Sequence, residues 1–162
     1  RRIGRRVLCG EISMTSRQLM LLAGLGSAAL LASAFFFQVI GYPPCKMCLW
    51  QRWPHAAAIL IGLVGYRYGA PAIAYLGALA TFITGAIGAY HTGVEKKWWE
   101  GPSSCSGGGN LGTDLLSTDI TPVVMCDEIS WQFLGLSMAS YNMLAAFALT
   151  VVWLAAARRT AG

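Results

Sequence analysis

The chain has 162 residues, of which 56% are hydrophobic and 12% charged, with a mean hydropathy of +0.54. That balance excludes a soluble globular domain and a disordered segment, and it marks an integral membrane protein. The net charge of +5 is split into small groups between long uncharged runs, so it reports topology in a lipid bilayer and no nucleic acid is expected as a partner.

Four apolar runs cover residues about 18–40, 49–66, 70–90 and 131–157. A hydrocarbon core of about 30 Å takes roughly 20 residues of helix, and the runs lack the alternation of barrel strands. Backbone groups in lipid must be satisfied within the segment, which leaves helices. The predicted fold is an all-α membrane protein, a four-transmembrane-helix bundle forming a single domain over residues 1–162. Its outer loops are about 41–48 and 91–130, and the long one carries a cysteine pair.

The first run follows Arg1, Arg2, Arg5, Arg6 and Arg17, as a signal peptide would. It is too long for a signal core of about 7–15 residues and ends without an Ala-x-Ala site, so it is expected to remain in the mature protein.

The second run opens on Cys45-Lys46-Met47-Cys48-Leu49-Trp50-Gln51-Arg52-Trp53-Pro54. A thiolate is the reactive form of cysteine, and a helix N-terminus or a nearby cation lowers its pKa. Cys45, Cys48 and Arg52 follow i, i+3, i+7 spacing and share one helix face. A helix starting at Pro54 is too short to span, so the helix is expected to begin upstream and to bend at the proline. A two-residue-spaced pair closes too small a loop to constrain much chain, which argues for a redox pair over a structural staple. Arg52 either snorkels to the interface or stabilises negative charge near Cys48.

In the third run Gly77, Thr81, Gly85 and Ala89 recur every four residues, a small-residue stripe suited to close helix packing; Gly62, Gly65 and Gly69 in the second run read the same way. His91 at its outer end is a candidate proton donor. The segment that follows holds Ser103-Ser104-Cys105-Ser106-Gly107-Gly108-Gly109-Asn110, whose composition predicts a mobile arm around Cys105. Leu111, Leu115, Leu116 and Ile120 are spaced for a short turn on the membrane surface that would hold Cys126 near the bilayer. Trp50, Trp53, Trp98, Trp99 and Trp131 form an outer aromatic belt, or in part a flat ligand pocket.

Both termini of a four-span chain share a side. That side carries Arg1, Arg2, Arg5, Arg6, Arg17, Arg67, Arg158 and Arg159, against Lys46, Arg52, Lys96 and Lys97 on the other. The excess puts the termini in the cytoplasm and both outer loops in an oxidising compartment, the periplasm of a bacterium. The cysteines then divide into two outer pairs, Cys45 with Cys48 and Cys105 with Cys126, and a leftover Cys9. Zinc spacing is a poor match and no metal is expected. No Rossmann or phosphate-loop pattern is present, and Cys48 is followed by Leu49 rather than a haem-ligating histidine. By elimination the electron acceptor is expected to be lipid-soluble, a quinone.

The four spans, the Cys-x-x-Cys followed four residues later by Arg52, the second outer pair, and the segment Trp131-Gln132-Phe133-Leu134-Gly135-Leu136-Ser137-Met138 together resemble the DsbB family. These are quinone-linked thiol oxidases of the bacterial inner membrane, and the resemblance covers essentially the whole chain. It implies that Cys105 and Cys126 form the disulfide attacked by a reduced thioredoxin-fold dithiol oxidase, DsbA-like, with Cys105 making the mixed disulfide. It implies further that electrons pass through a transient Cys126–Cys45 bond, that Cys48 is the thiolate contacting ubiquinone or menaquinone, and that Arg52 supports that contact. His91, Glu95 and Trp99 fall in a stretch like the family's outer His-x-Gly-x-Glu segment, without an assigned role. Lys46 departs from the apolar residue expected between the cysteines. A membrane scaffold or transport subunit with two structural disulfides is the alternative.

Overall fold

A computed structural model describes residues 14–104 and 124–160. Four helices dominate: α1 Ser16–Val39, α2 Lys46–Tyr68, α3 Pro71–Glu95 and α4 Met138–Thr160, with a minimal hairpin of β1 Gln132–Phe133 and β2 Leu136–Ser137 before α4. Cys9, Cys105 and the expected surface turn over Leu111–Ile120 lie outside the described residues.

Each helix boundary has a local cause. Thr15 and Gln18 form a reciprocal capping box at the start of α1. Cys45 caps α2, so that helix starts upstream of Pro54 as expected and carries the proline inside. Gly69 ends α2 in the left-handed region (φ 68°), and Pro71 opens α3 where its missing N–H costs nothing.

Two ends differ from the sequence expectation. α3 continues to Glu95, past the expected end near residue 90, so His91 and Glu95 are helical and lie one turn apart. α4 begins at Met138, not near Trp131, because the intervening residues fold into the hairpin. There Gln132 pairs with Ser137 and Phe133 with Leu136, while Leu134 (φ 49°) and Gly135 (φ 76°) supply the two positive φ values of a type I′ turn. The Ser137 hydroxyl then accepts from the Ser140 N–H, closing the first turn of α4.

α1, α3 and α4 are long and apolar enough to cross a membrane. α2 has comparable length, 23 residues, but the stretch Gln51, Arg52, Trp53, Pro54 and His55 makes it less apolar, so three of the four expected spans are evident by length and composition.

Small residues make up most of the interior, with Trp153, Met20 and Met47 as large exceptions, and many large residues lie on the exterior. Ala23, Ala58, Ala74, Ala156 and Ala157 are buried, whereas Phe35, Phe36, Leu60, Leu76 and Val151 are at least half exposed. Lipid tails are as apolar as leucine, so close helix approach and interhelical hydrogen bonds replace the hydrophobic effect as the cohesive force. A Cβ on Gly62 would lie 2.9 Å from the Gly24 Cα, which fixes how tightly α1 and α2 cross. The expected stripe on α3 faces α4: Gly77 lies beneath the Trp153 ring, Gly85 beneath Phe147, and Thr81 bonds Thr150 at 2.9 Å.

Candidate active site

The site is built at the N-terminal end of α2, where a backbone N–H of the first turn points at sulfur. Cys45 Sγ accepts from the Cys48 N–H at 3.2 Å, and the two Sγ atoms are 2.8 Å apart. That is longer than the roughly 2.05 Å of a disulfide, and the pair is described as two free cysteines. His91 Nε2 lies 3.6 Å from Cys45 Sγ. The Cys45 thiol is held far below its ordinary 9.0, at about 4: the hydrogen bond from Cys48 is the main cause, burial opposes it, and His91 adds to it by hydrogen bond and charge. Cys45 is thereby the better stabilised thiolate of the pair, where the family resemblance puts the charge on Cys48.

Cys126 packs into the same cluster. With Cys45, Met47 and Val94 it forms a buried apolar core against which Cys48 and Val124 pack. Cys126 is disulfide-bonded, and its expected partner Cys105 lies outside the described residues. His91 also bonds the Cys126 backbone. The Cys126 segment is tethered by an ion pair between Lys97 Nζ and Asp127 Oδ2, 2.5 Å apart. Lys97 itself adopts a left-handed φ of 60°, which turns the chain sharply after α3.

Beneath the thiols a cavity of about 560 Å³ opens between α1, α2 and α4, within the usual range for ligand pockets. Its wall is mostly apolar, with Leu30, Leu31, Phe37, Trp131 and Met138, and Cys45, Cys48, Arg52, His55, His91 and Asn142 contribute polar atoms. Phe37 and Trp131 pack with ring centroids 5.0 Å apart. Of the five belt tryptophans only Trp131 lines this cavity; Trp50 and Trp53 face outward, and Trp99 stacks on Tyr90.

Arg52 shares the cavity face with both cysteines, as its spacing predicts, but its guanidinium is directed to α1. Nη1 donates to Gln38 Oε1 at 2.9 Å, Nη2 to the Ala34 carbonyl at 3.4 Å, and the cation lies over Phe35. Its Nε is buried without a partner. Glu95, on α3 one turn after His91, accepts from the Ser137 hydroxyl and lies 3.8 Å from His91. The hairpin that delays α4 therefore delivers Ser137 to this carboxylate.

Cys45, Cys48 and His91 place three donor atoms within 4.8 Å of one another. Two thiolates each about 2.3 Å from a tetrahedral zinc would sit roughly 3.8 Å apart, so the sulfurs would have to separate by about 1 Å to share such an ion. The present spacing suits sulfur–sulfur bond making instead.

Three functional candidates escaped the sequence reading: Gln51, His55 and Asn142, which are joined by hydrogen bonds across α2 and α4. Their one sequence signal is that polar residues inside apolar runs need partners; which partners they take depends on the packing.

The model of the family described as "Disulfide bond formation protein DsbB" matches residues 16–156. Curated relatives include Disulfide bond formation protein B of Xanthomonas oryzae pv. oryzae (strain MAFF 311018), 33% identical over 141 residues that cover 79% of this chain and 82% of that protein. The protein of the same name from Azoarcus sp. (strain BH72) is 34% identical over 146 residues, covering 82% and 87%. That of Albidiferax ferrireducens is 28% identical over 171 residues, covering 95% and 97%. No solved structure matches significantly. With the family's model matched from α1 into α4 and the cysteine pair at the mouth of an apolar cavity, the chain belongs to the DsbB disulfide bond formation family.

Proposed function

We propose that the protein is a membrane thiol:quinone oxidoreductase that reoxidises a periplasmic DsbA-like dithiol oxidase and passes the electrons to ubiquinone or menaquinone in the bacterial inner membrane. In this reading all four helices span, and both termini are cytoplasmic. The observation that carries it is the Cys45–Cys48 pair set over an apolar cavity and packed against Cys126.

The chemistry runs in two exchanges. The reduced partner attacks the Cys105–Cys126 disulfide at Cys105, and the partner's second thiol then displaces Cys105, so the partner leaves oxidised. The released Cys126 thiolate attacks the Cys45–Cys48 disulfide at Cys45, freeing Cys48, and Cys105 then displaces Cys45 from Cys126, which restores the Cys105–Cys126 disulfide and leaves Cys45 and Cys48 reduced. Shared packing of Cys45 and Cys126 supports that second exchange without long travel. The Cys45–Cys48 dithiol then gives up two electrons and two protons as its disulfide re-forms. A quinone held in the cavity would supply the acceptor for those two electrons and two protons.

The residues present fit such a ring: the walls are apolar, and Arg52 Nε and His55 Nδ1 are buried polar atoms without protein partners. His91 holds charge on Cys45 while the thiol waits, and Cys48 is the leaving or attacking sulfur according to direction. Removing water from the cavity strengthens each of these interactions.

The test is quinone reduction by purified protein supplied with a reduced thioredoxin-fold dithiol partner. Wild type turns over, Cys48→Ala and Cys105→Ala stop, and the partner is trapped on the chain only where Cys105 is retained. Quinone that stays oxidised with wild type, across quinones and partners, refutes the reading in favour of a scaffold with structural disulfides.

A further inference from the structure

Between the thiols and the cavity floor runs a chain of hydrogen bonds whose direction is fixed by two backbone carbonyls. Gln51 Nε2 lies 3.2 Å from the Met47 carbonyl oxygen, which can only accept, so the nitrogen end of the amide faces it. The same nitrogen lies 3.1 Å from His91 Nδ1. His91 Nδ1 therefore accepts, and a neutral His91 carries its proton on Nε2, facing Cys45.

The other end of the Gln51 amide sets the second half. Its Oε1 accepts from Asn142 Nδ2 at 2.7 Å. Asn142 Nδ2 also donates to Thr84 Oγ1 at 3.3 Å, and the Thr84 hydroxyl spends its hydrogen on the Gln51 carbonyl at 3.0 Å. Asn142 must then turn its Oδ1 to His55, whose Nε2 is 2.8 Å away and donates. A neutral His55 held in this way has a bare Nδ1. That atom is buried without a partner, His55 is only 3% exposed, and the residue lines the cavity.

His55 extends the reactive stripe. Cys48, Arg52 and His55 recur at four and three residues, so His55 lies about 10.5 Å deeper than Cys48 along the helix axis at 1.5 Å per residue. That leaves room for one ring with a contact at each end. The oxygens of a quinone only accept hydrogen bonds, whereas the hydroxyls of a hydroquinone donate them. An imidazole locked with a bare nitrogen toward the ring discriminates between the two.

We propose that His55 is a redox-state-selective contact in the cavity: its Nδ1, held bare by the Gln51–Asn142 amide pair, accepts a hydrogen bond from a hydroxyl of the reduced ring. This rests on the reading of the cavity as a quinone site. Preference for the reduced ring makes the bound acceptor a stronger oxidant than the free one. A tenfold preference corresponds to about 30 mV for a two-electron couple.

The test is anaerobic binding to the oxidised full-length protein, followed by Trp131 fluorescence, with three probes: a short-tailed benzoquinone, its hydroquinone, and the hydroquinone dimethyl ether. In wild type the hydroquinone binds more tightly than the other two. His55→Phe, which keeps a ring and removes the acceptor, weakens the hydroquinone about tenfold and the quinone less than about threefold, the size of one neutral hydrogen bond. His55→Asn, whose Oδ1 stands near the Nδ1 position, restores part of the difference. Equal losses for both redox forms, or none for the hydroquinone, overturn the proposal and leave the quinone reading intact. Wild type that binds neither form overturns both. Should His55→Phe fail to assemble, the wild-type comparison decides alone: a dimethyl ether that binds as well as the hydroquinone refutes the contact.

Discussion

Replacing Cys48 with alanine isolates what holds the charge on Cys45. The Cys45 thiol sits at about 4 chiefly because the Cys48 thiol donates to it, at an Sγ separation of 2.8 Å. Cys48→Ala removes that donor but keeps the residue-48 N–H at 3.2 Å and the His91 imidazole at 3.6 Å. A hydrogen bond to a charged group contributes about 1.5–3 kcal/mol, and about 1.36 kcal/mol is one decade in an ionisation constant, so the midpoint should rise by roughly one to two pH units. The sign is that of a depressed acid: the thiolate is present above the folded-state pKa and is lost as pH falls through it. The rate of Cys45 alkylation by iodoacetamide, assigned by peptide mass mapping on reduced protein, should be flat in wild type down to about pH 4. In the variant it should fall already near pH 5 to 6. A variant midpoint still at about 4, or a wild-type thiolate that forms only near 9.0, would refute the argument.

Two glycines should separate by what they touch. Gly62→Ala drives a Cβ to 2.9 Å from the backbone of α1, which cannot step aside, and should destabilise the protein by about 1–3 kcal/mol in a thermal melt in detergent. Gly93→Ala collides with the Trp99 ring, which is half-exposed and can swing away, so its cost should be smaller, and loss of the Tyr90 stacking should appear as a change in Trp99 emission. Asn142→Leu strands Gln51 Oε1 and His55 Nε2 in the bundle interior and should cost about 1–3 kcal/mol per unpaired group; Asn142→Asp, which keeps an acceptor toward His55, should lose less at low pH than at high. Glu95→Gln preserves an acceptor for the Ser137 hydroxyl while removing charge beside His91, so it should leave the melt nearly unchanged and slow thiol oxidation several-fold, a result contradicted if the melt falls as far as for Asn142→Leu.

What could be read from the residues was what depends on local spacing. The Cys-x-x-Cys at a helix start, the shared face with Arg52 and the small-residue stripe of α3 all follow from 3.6 residues per turn, and the structure bears out the stripe and the shared cavity face. The start of α4 was missed because Trp131–Ser137 carries no charge and runs directly into the apolar segment, and the turn at Leu134-Gly135 is betrayed only by one glycine. For Arg52 the residues offered only snorkelling to the interface or charge stabilisation near Cys48; Gln38 and Phe35, which hold it, lie fourteen and seventeen residues upstream on α1. Gln51, His55 and Asn142 acquire their meaning from contacts spanning 40 to 91 positions, and no periodicity encodes such pairs.

The inside-out arrangement of side-chain size has a consequence for how this protein tolerates change. In a water-soluble domain a saturation map of substitutions is permissive at the surface toward polar residues and strict in the core toward bulky ones. Here positions such as Phe36, Leu76 and Val151, exposed on helices long and apolar enough to cross a membrane, should accept almost any aliphatic or aromatic residue and reject charge, while Ala58, Gly62 and Ala74 should reject nearly everything larger than serine. Stabilising such a protein for handling outside the membrane is then a matter of interior hydrogen bonds and of which detergent replaces lipid, because the helix crossings leave no room for larger side chains.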